Sequence, residues 1–165
     1  MRKNKFFSLD HLATLISRHR ENAERIILAN GCFDLIHVGH VRYLKESKAL
    51  GDVLVVAVNG DASVRRLKGA GRPLMKEEDR ISILSAFSMV DYVTVFEEDT
   101  VEEVLLALKP HVHAKGSDYT VETVPEREIV RRYGGKVAIT GGPKVRSTSD
   151  ILKEIASLPG KKQPV

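Results

Sequence analysis

Five apolar runs, separated by stretches with helical patterning, restrict the fold of this chain more than any other feature. The runs are RIILAN (25–30), DVLVVAVN (52–59), DYVTVF (91–96), HVHAKG (111–116) and KVAITG (136–141). Apolar on both faces and bounded by Gly, Asn or charged residues, they predict strands buried in a parallel sheet. Helical patterning falls at 39–50, 76–87, 100–109 and 124–134, and STSDILKEIASL (147–158) adds a last helix. Strands alternating with helices predict a doubly wound α/β sheet: five parallel strands with helices on both faces and right-handed crossovers. In such a sheet the ligand site lies at the carboxyl ends of the strands, so the loops after the strands should carry the chemistry. Ahead of the first strand, Leu9, Leu12, Leu15 and Ile16 recur at helical spacing behind Ser8, a candidate N-cap. The expected organisation is one unit over 1–165: an N-terminal helix within 1–24, a core over 25–158 and a frayed tail, PGKKQPV, at 159–165.

Composition excludes several classes. A chain of 165 residues, 42% hydrophobic and 29% charged, suits one soluble domain, and no apolar stretch is long enough to span a bilayer. The N-terminal apolar patch is interrupted by Asp10 and His11 and does not read as a secretory signal. Cys32 is the only cysteine, which rules out an intramolecular disulfide and makes a reducing cytoplasm the expected compartment. The net charge of +4 arises from interleaved acids and bases rather than a basic stripe. That pattern suits a small polyanion such as a nucleotide, and no nucleic acid or membrane partner is expected.

The first strand leads into GCFDLIHVGH (31–40). Gly31 permits a sharp turn and Gly39 lets a ligand approach a helix start, where unpaired N–H groups and the helix dipole favour phosphate. His37 precedes that helix and His40 sits in its first turn, so both imidazoles can converge on one group above the helix end. Three uses are open: donors to a phosphoryl oxygen, structural caps, or metal ligands, the last weakened by the lack of a third ligand at clear spacing. Asp34 is either a loop-fixing hydrogen-bonder or a magnesium contact, and loop fixing is favoured.

GCFDLIHVGH resembles the signature of the HxGH nucleotidyltransferases, and the later motifs NGDASVRRLKGAGRP, EEDRISIL, VDYV, KGSDYT and RSTSDIL follow in that family's order. They are most similar to its adenylyltransferase domains that form ADP-heptose. The resemblance implies a Rossmann-like fold and a free-standing enzyme. Its reaction would join ATP to D-glycero-D-manno-heptose 1-phosphate, releasing pyrophosphate, for lipopolysaccharide or another heptose-containing glycan. The alternative is a cytidylyltransferase acting on glycerol 3-phosphate or a similar phosphorylated alcohol. Gly142, which stands where the glycerol-phosphate relatives carry arginine, tells against that alternative.

Carried over from the motif, His37 and His40 would hold the phosphates at the reacting centre, with Lys68 as a phosphate clamp. Gly31, Cys32, Phe33, Asp34 and Gly39 would form the phosphate loop, with the backbone of Cys32 and Phe33 donating and the Cys32 thiol unused. Arg80 matches an arginine that approaches nucleotide phosphates, although spacing alone allows a surface pair with Glu77. Ser147, Thr148 and Ser149 at a helix start would bind the outer phosphates, with Arg146 beside them. Capping alone would also explain these hydroxyls. Arg72, Lys115, Gly116, Asp118 and Tyr119 are candidate acceptor contacts. No protein-held metal is expected, since Mg2+ would arrive on the ATP phosphates. As in relatives, the N-terminal helix and the VDYV edge are surfaces a homodimer could use.

Overall fold

The computed structural model describes residues 4–143 and 147–158. Its strands are β1 (Ile26–Gly31), β2 (Val53–Asn59), β3 (Tyr92–Phe96), β4 (Val112–Gly116) and β5 (Lys136–Thr140). The helices are α1 (Leu9–Glu21), α2 (Val38–Lys48), α3 (Asp61–Lys68), α4 (Glu77–Ala86), α5 (Glu102–Leu108), α6 (Arg127–Arg132) and α7 (Thr148–Ser157). Each apolar run is a strand within one residue at either end, because consecutive β-branched and aliphatic residues gain most from a sheet covered on both sides.

All neighbouring strands pair in parallel, in the order β3-β2-β1-β4-β5. The two-residue period divides the core. Ile26, Leu28, Val53, Val55 and Ala57 face Leu12 and Ile16 of α1, Leu105 and Leu108 of α5 and Val130 of α6. Ile27, Ala29, Leu54, Val56 and Val58 face Tyr43 and Leu44 of α2 and Leu84 of α4. The connection after β1 therefore covers one face and the connection after β4 the other. The gap between the carboxyl ends of these adjacent strands is the topological switch point, where such sheets bind ligands.

One local expectation changes, and two surfaces named for a homodimer make contacts within the chain. The stretch VNGDASVRRLKGAGRPL that follows the second apolar run predicts a helix cap at Asp61 or Ser63, but Gly60 occupies the cap position of α3. Ser63 instead receives Asn59 Nδ2 at 3.0 Å and donates to the Glu98 carbonyl at 3.0 Å. The VDYV edge is not open along its length: residues 5–7 run beside β3, with Phe6 bridging Val93, the Phe7 N–H donating to the Val93 carbonyl at 3.1 Å and the Val93 N–H to the Lys5 carbonyl at 2.8 Å. This pairs the outward N–H and carbonyl of Val93, two of the backbone groups an edge strand otherwise leaves open. The apolar stripe of α1 is likewise spent inside the chain, on the core just described. The tail at 159–165 lies outside the described residues.

Candidate active site

The first loop is built around a capped helix. His37 is the N-cap of α2: its Nδ1 accepts the Gly39 N–H at 3.1 Å, and His40 Nδ1 accepts the His37 N–H at 3.3 Å. Each backbone donor requires an unprotonated Nδ1, so in both rings the proton sits on Nε2. Capping and ligand binding are thus not exclusive, because the cap fixes the tautomer that makes Nε2 a donor. The ring centroids lie 4.0 Å apart. Burial, and secondarily the neighbouring His37, lowers the His40 pKa from 6.5 to about 4, so this imidazole is neutral at pH 7.

Gly31 does not make the turn expected of it. It ends β1, and a Cβ there would lie 3.3 Å from Cε2 of Phe33, so its bareness accommodates that ring. The left-handed backbone falls on Phe33 itself, at φ 48°. A bulky residue holds this conformation at a cost of roughly 1–2 kcal/mol. Its ring is buried beside His40 and Tyr43, with centroids 5.3 and 6.4 Å away. Burial raises the Cys32 thiol pKa, which keeps it protonated.

Arg80 differs most from expectation. It is 0% exposed, so it neither reaches a phosphate nor pairs on the surface with Glu77. Nη1 donates to the carbonyls of Cys32 at 2.6 Å and Asn59 at 2.7 Å, Nη2 to Asp61 Oδ1 at 2.7 Å, and Nε to the Met75 carbonyl at 3.1 Å. One guanidinium thereby ties the exits of β1 and β2, the start of α3 and the loop before α4. Asp34, also buried, makes a second tie. Its Oδ1 accepts the Leu74 and Met75 N–H groups at 2.8 and 2.9 Å, and Oδ2 lies 2.7 Å from Arg72 Nε in an ion pair not aligned as a hydrogen bond. Asp34 thus joins two loops rather than offering its oxygens to magnesium. Arg72, expected at a substrate, is held by Asp34.

The remaining candidates divide by position. Lys68 ends α3, exposed, with its positive charge felt at Cys32 across the loop. Gly69 and Gly71 follow with φ of 93° and 81° and open space where a Cβ would go. At the end of β4, Lys115 Nζ lies 4.8 Å from the centroid of the Tyr119 ring and 3.4 Å from Asn30 Oδ1. Asp118 and Cys32 both contribute to raising the Tyr119 pKa behind the larger effects of burial and Glu126, which brings the exposed Asp118 and the β1 loop near this ring. Gly116 closes β4 with open space above it. Ser147 is the N-cap of α7, but its Oγ and N–H both donate to Asp150 Oδ2, at 2.7 and 2.8 Å. The Ser147 hydroxyl therefore serves a capping box first. Thr148 Oγ1 donates to the Leu35 carbonyl at 3.4 Å and docks α7 against the first loop, while Ser149 is exposed beside it. Arg146 lies outside the described residues.

Sequence reasoning missed four polar residues behind this surface: Asn30, Asn59, His113 and Glu126. Three of them lie in or beside the apolar runs, where polar side chains read as interruptions, and Glu126 sits in a polar connecting stretch. A shallow cavity of about 350 Å³ lined by Arg25, His111 and Lys136 lies at the opposite, amino end of the sheet, away from all of these groups. Among the described residues no helix is long and apolar enough to cross a membrane.

The cytidylyltransferase-like family model matches residues 28–154, which takes in every loop described above. The chain is 49% identical over 152 residues to the bifunctional protein HldE of Pelobacter propionicus, covering 92% of this chain and 31% of that protein. It is 47% identical over 148 residues to HldE of Geobacter sulfurreducens, covering 90% and 30%. The chain thus spans about a third of the length of these curated relatives. Among solved structures, a lipopolysaccharide core biosynthesis protein from Thermoplasma volcanium superposes with a TM-score of 0.59 at 32% identity, over 70% of this chain and 93% of that one.

Replacing Arg80 by Leu strands three carbonyls and Asp61, and should lower the unfolding free energy by about 3–5 kcal/mol. A urea titration that finds a loss below about 1 kcal/mol would contradict the tie. A second expectation concerns acid. Burial lowers the His113 pKa to about 3, and His40 to about 4, whereas both take up protons near pH 6.5 when unfolded. Between pH 6.5 and 4 the unfolded chain binds more protons, so stability must fall as pH falls, by up to about 3 kcal/mol per pH unit for the pair. Unfolding midpoints that hold steady or rise between pH 6.5 and 5 would refute these burial-lowered values.

Proposed function

This chain belongs to the cytidylyltransferase-like family of nucleotidyltransferases, and on that premise we propose that it transfers AMP from ATP to D-glycero-D-manno-heptose 1-phosphate. The products are ADP-heptose and pyrophosphate, destined for lipopolysaccharide or another heptose-containing glycan, and the reaction takes place in the cytoplasm. The observation that carries this reading is the pair of imidazoles whose Nδ1 atoms are held by backbone donors at the start of α2. The likeness to HldE over nearly the whole chain and the KGSDYT and RSTSDIL motifs support the choice of ATP and a heptose phosphate.

The chemistry is a displacement at the α-phosphorus. An anionic oxygen of the acceptor's phosphate forms the new bond, and the α–β bridging bond breaks with its electron pair leaving on pyrophosphate. The nucleophile is already ionised, so no protein base is needed, and catalysis rests on alignment and on donors aimed where charge accumulates. Neutral Nε2–H groups of His37 and His40 donate to the α- and β-phosphates and the bridging oxygen. Lys68, beside the open glycine loop, closes on the outer phosphates together with the start of α7. Magnesium enters as part of the substrate, the counter-ion of ATP, because Asp34 is committed to Leu74, Met75 and Arg72.

Pyrophosphate release measured with ATP or CTP against heptose 1-phosphate or glycerol 3-phosphate tests the assignment. Turnover is expected with ATP and heptose 1-phosphate, and product only from CTP with glycerol 3-phosphate would overturn it. His37→Ala and His40→Ala should each lower kcat about 100- to 1,000-fold with little change in ATP affinity, since their bonds strengthen in the transition state.

A further inference from the structure

Behind Tyr119, at the switch point between β1 and β4, four polar side chains gather that no motif marks as a group. Lys115 is 7% exposed and Glu126 4% exposed, and their charges face each other with Nζ 3.6 Å from Oε2. That separation is too long for a hydrogen bond, and Oε2 is buried without any. Asn30 Oδ1 receives Lys115 Nζ at 3.4 Å and approaches His113 Nε2 at 2.9 Å. A lysine can only donate, so the Asn30 atom is the oxygen and His113 is the Nε2–H tautomer. Loosely held donors on Lys115 and a buried carboxylate oxygen with no donor are what an absent ligand would satisfy, since buried polar groups are nearly always paired.

We infer that Asn30, Lys115 and Glu126, with His113 fixing Asn30, form the subsite for the phosphorylated acceptor, and that Glu126 determines its specificity. The inference rests on the reaction proposed above. Lys115 takes an oxygen of the acceptor's phosphate, the same group that attacks ATP. Glu126 Oε2 accepts a hydroxyl of the polyol to which that phosphate is attached. Tyr119, 38% exposed over the ammonium, moves aside to admit the acceptor. A carboxylate next to the phosphate-binding lysine repels a bare anion and rewards one that brings hydroxyl donors. It thereby excludes inorganic phosphate and pyrophosphate, the commonest competitors for a buried cation.

Opposite signs test the claim. Isothermal titration with heptose 1-phosphate and, separately, inorganic phosphate is run on wild type and on Glu126→Gln, with and without a non-reacting ATP analogue. In Glu126→Gln the heptose phosphate should bind about tenfold more weakly, by loss of a hydrogen bond to a charged group, while inorganic phosphate binds severalfold more tightly. Glu126→Asp, which keeps the charge and withdraws the carboxylate, should weaken the sugar phosphate alone and provides the test if the first variant fails to fold. Both ligands shifting in the same direction in Glu126→Gln, or wild type showing no preference for the sugar phosphate over phosphate, would overturn the inference. Failure of wild type to form ADP-heptose while these shifts appear would instead fault the reaction and leave the subsite standing.

Discussion

A guanidinium sealed from water behind the β1–α2 loop is the constraint on which the rest of this site depends. Burying a full charge is costly unless acceptors surround it. Arg80 finds them in the Cys32, Asn59 and Met75 carbonyls and the Asp61 carboxylate. These acceptors come from three stretches, Cys32, residues 59–61 and Met75, and the first two become adjacent only once β1 and β2 are paired. The charge is therefore satisfied only in the correctly assembled fold, and the loops it joins acquire a fixed relation to one another. Asp34 repeats the device with a carboxylate, binding the same 72–75 segment from the other side.

On that fixed floor the proposed reaction would use neutral donors where charge moves and cations around the rim. His37 and His40 have their proton positions dictated by backbone N–H groups, so in the proposed reaction no rotation or titration would be required of them. Lys68 stands exposed beside glycines in left-handed conformation, where mobility is useful for closing over a triphosphate. Lys115 is the opposite case, a cation buried at the sheet's end with Glu126 as a counter-charge 3.6 Å away. A rigid interior and an adaptable rim suit a reaction that must align two anions and then release one.

The fold was legible because burial writes a simple code: apolar runs marked all five strands, and the 3.6-residue patterning marked the helices other than α3 (Asp61–Lys68), which showed no such pattern. HxGH was legible as a pair of imidazoles on one helix end. What sequence left hidden were partnerships across the sheet. EEDRISIL shows an arginine among acids on a helix, and nothing local indicates that its side chain turns inward to carbonyls some twenty and fifty residues away. Arg72 next to Gly71 reads as a mobile cation, whereas the distant Asp34 holds it. Glu126 carries no signal of its own, since a glutamate before a short helix is ordinarily solvated. Caps raised a different difficulty, because His37 and Ser147 look alike as helix-start residues. His37 accepts through Nδ1 and keeps Nε2–H as a donor, while Ser147 uses its one hydroxyl proton on Asp150.

In the proposed reaction catalysis rests on two neutral imidazoles whose Nε2–H tautomer the α2 cap imposes. Nitrogen-15 NMR of the histidine rings at pH 7, assigned with single His37 and His40 variants, reads this directly. Both rings are expected to be neutral with the proton on Nε2. A protonated imidazolium, or a proton on Nδ1 of either ring, would contradict it.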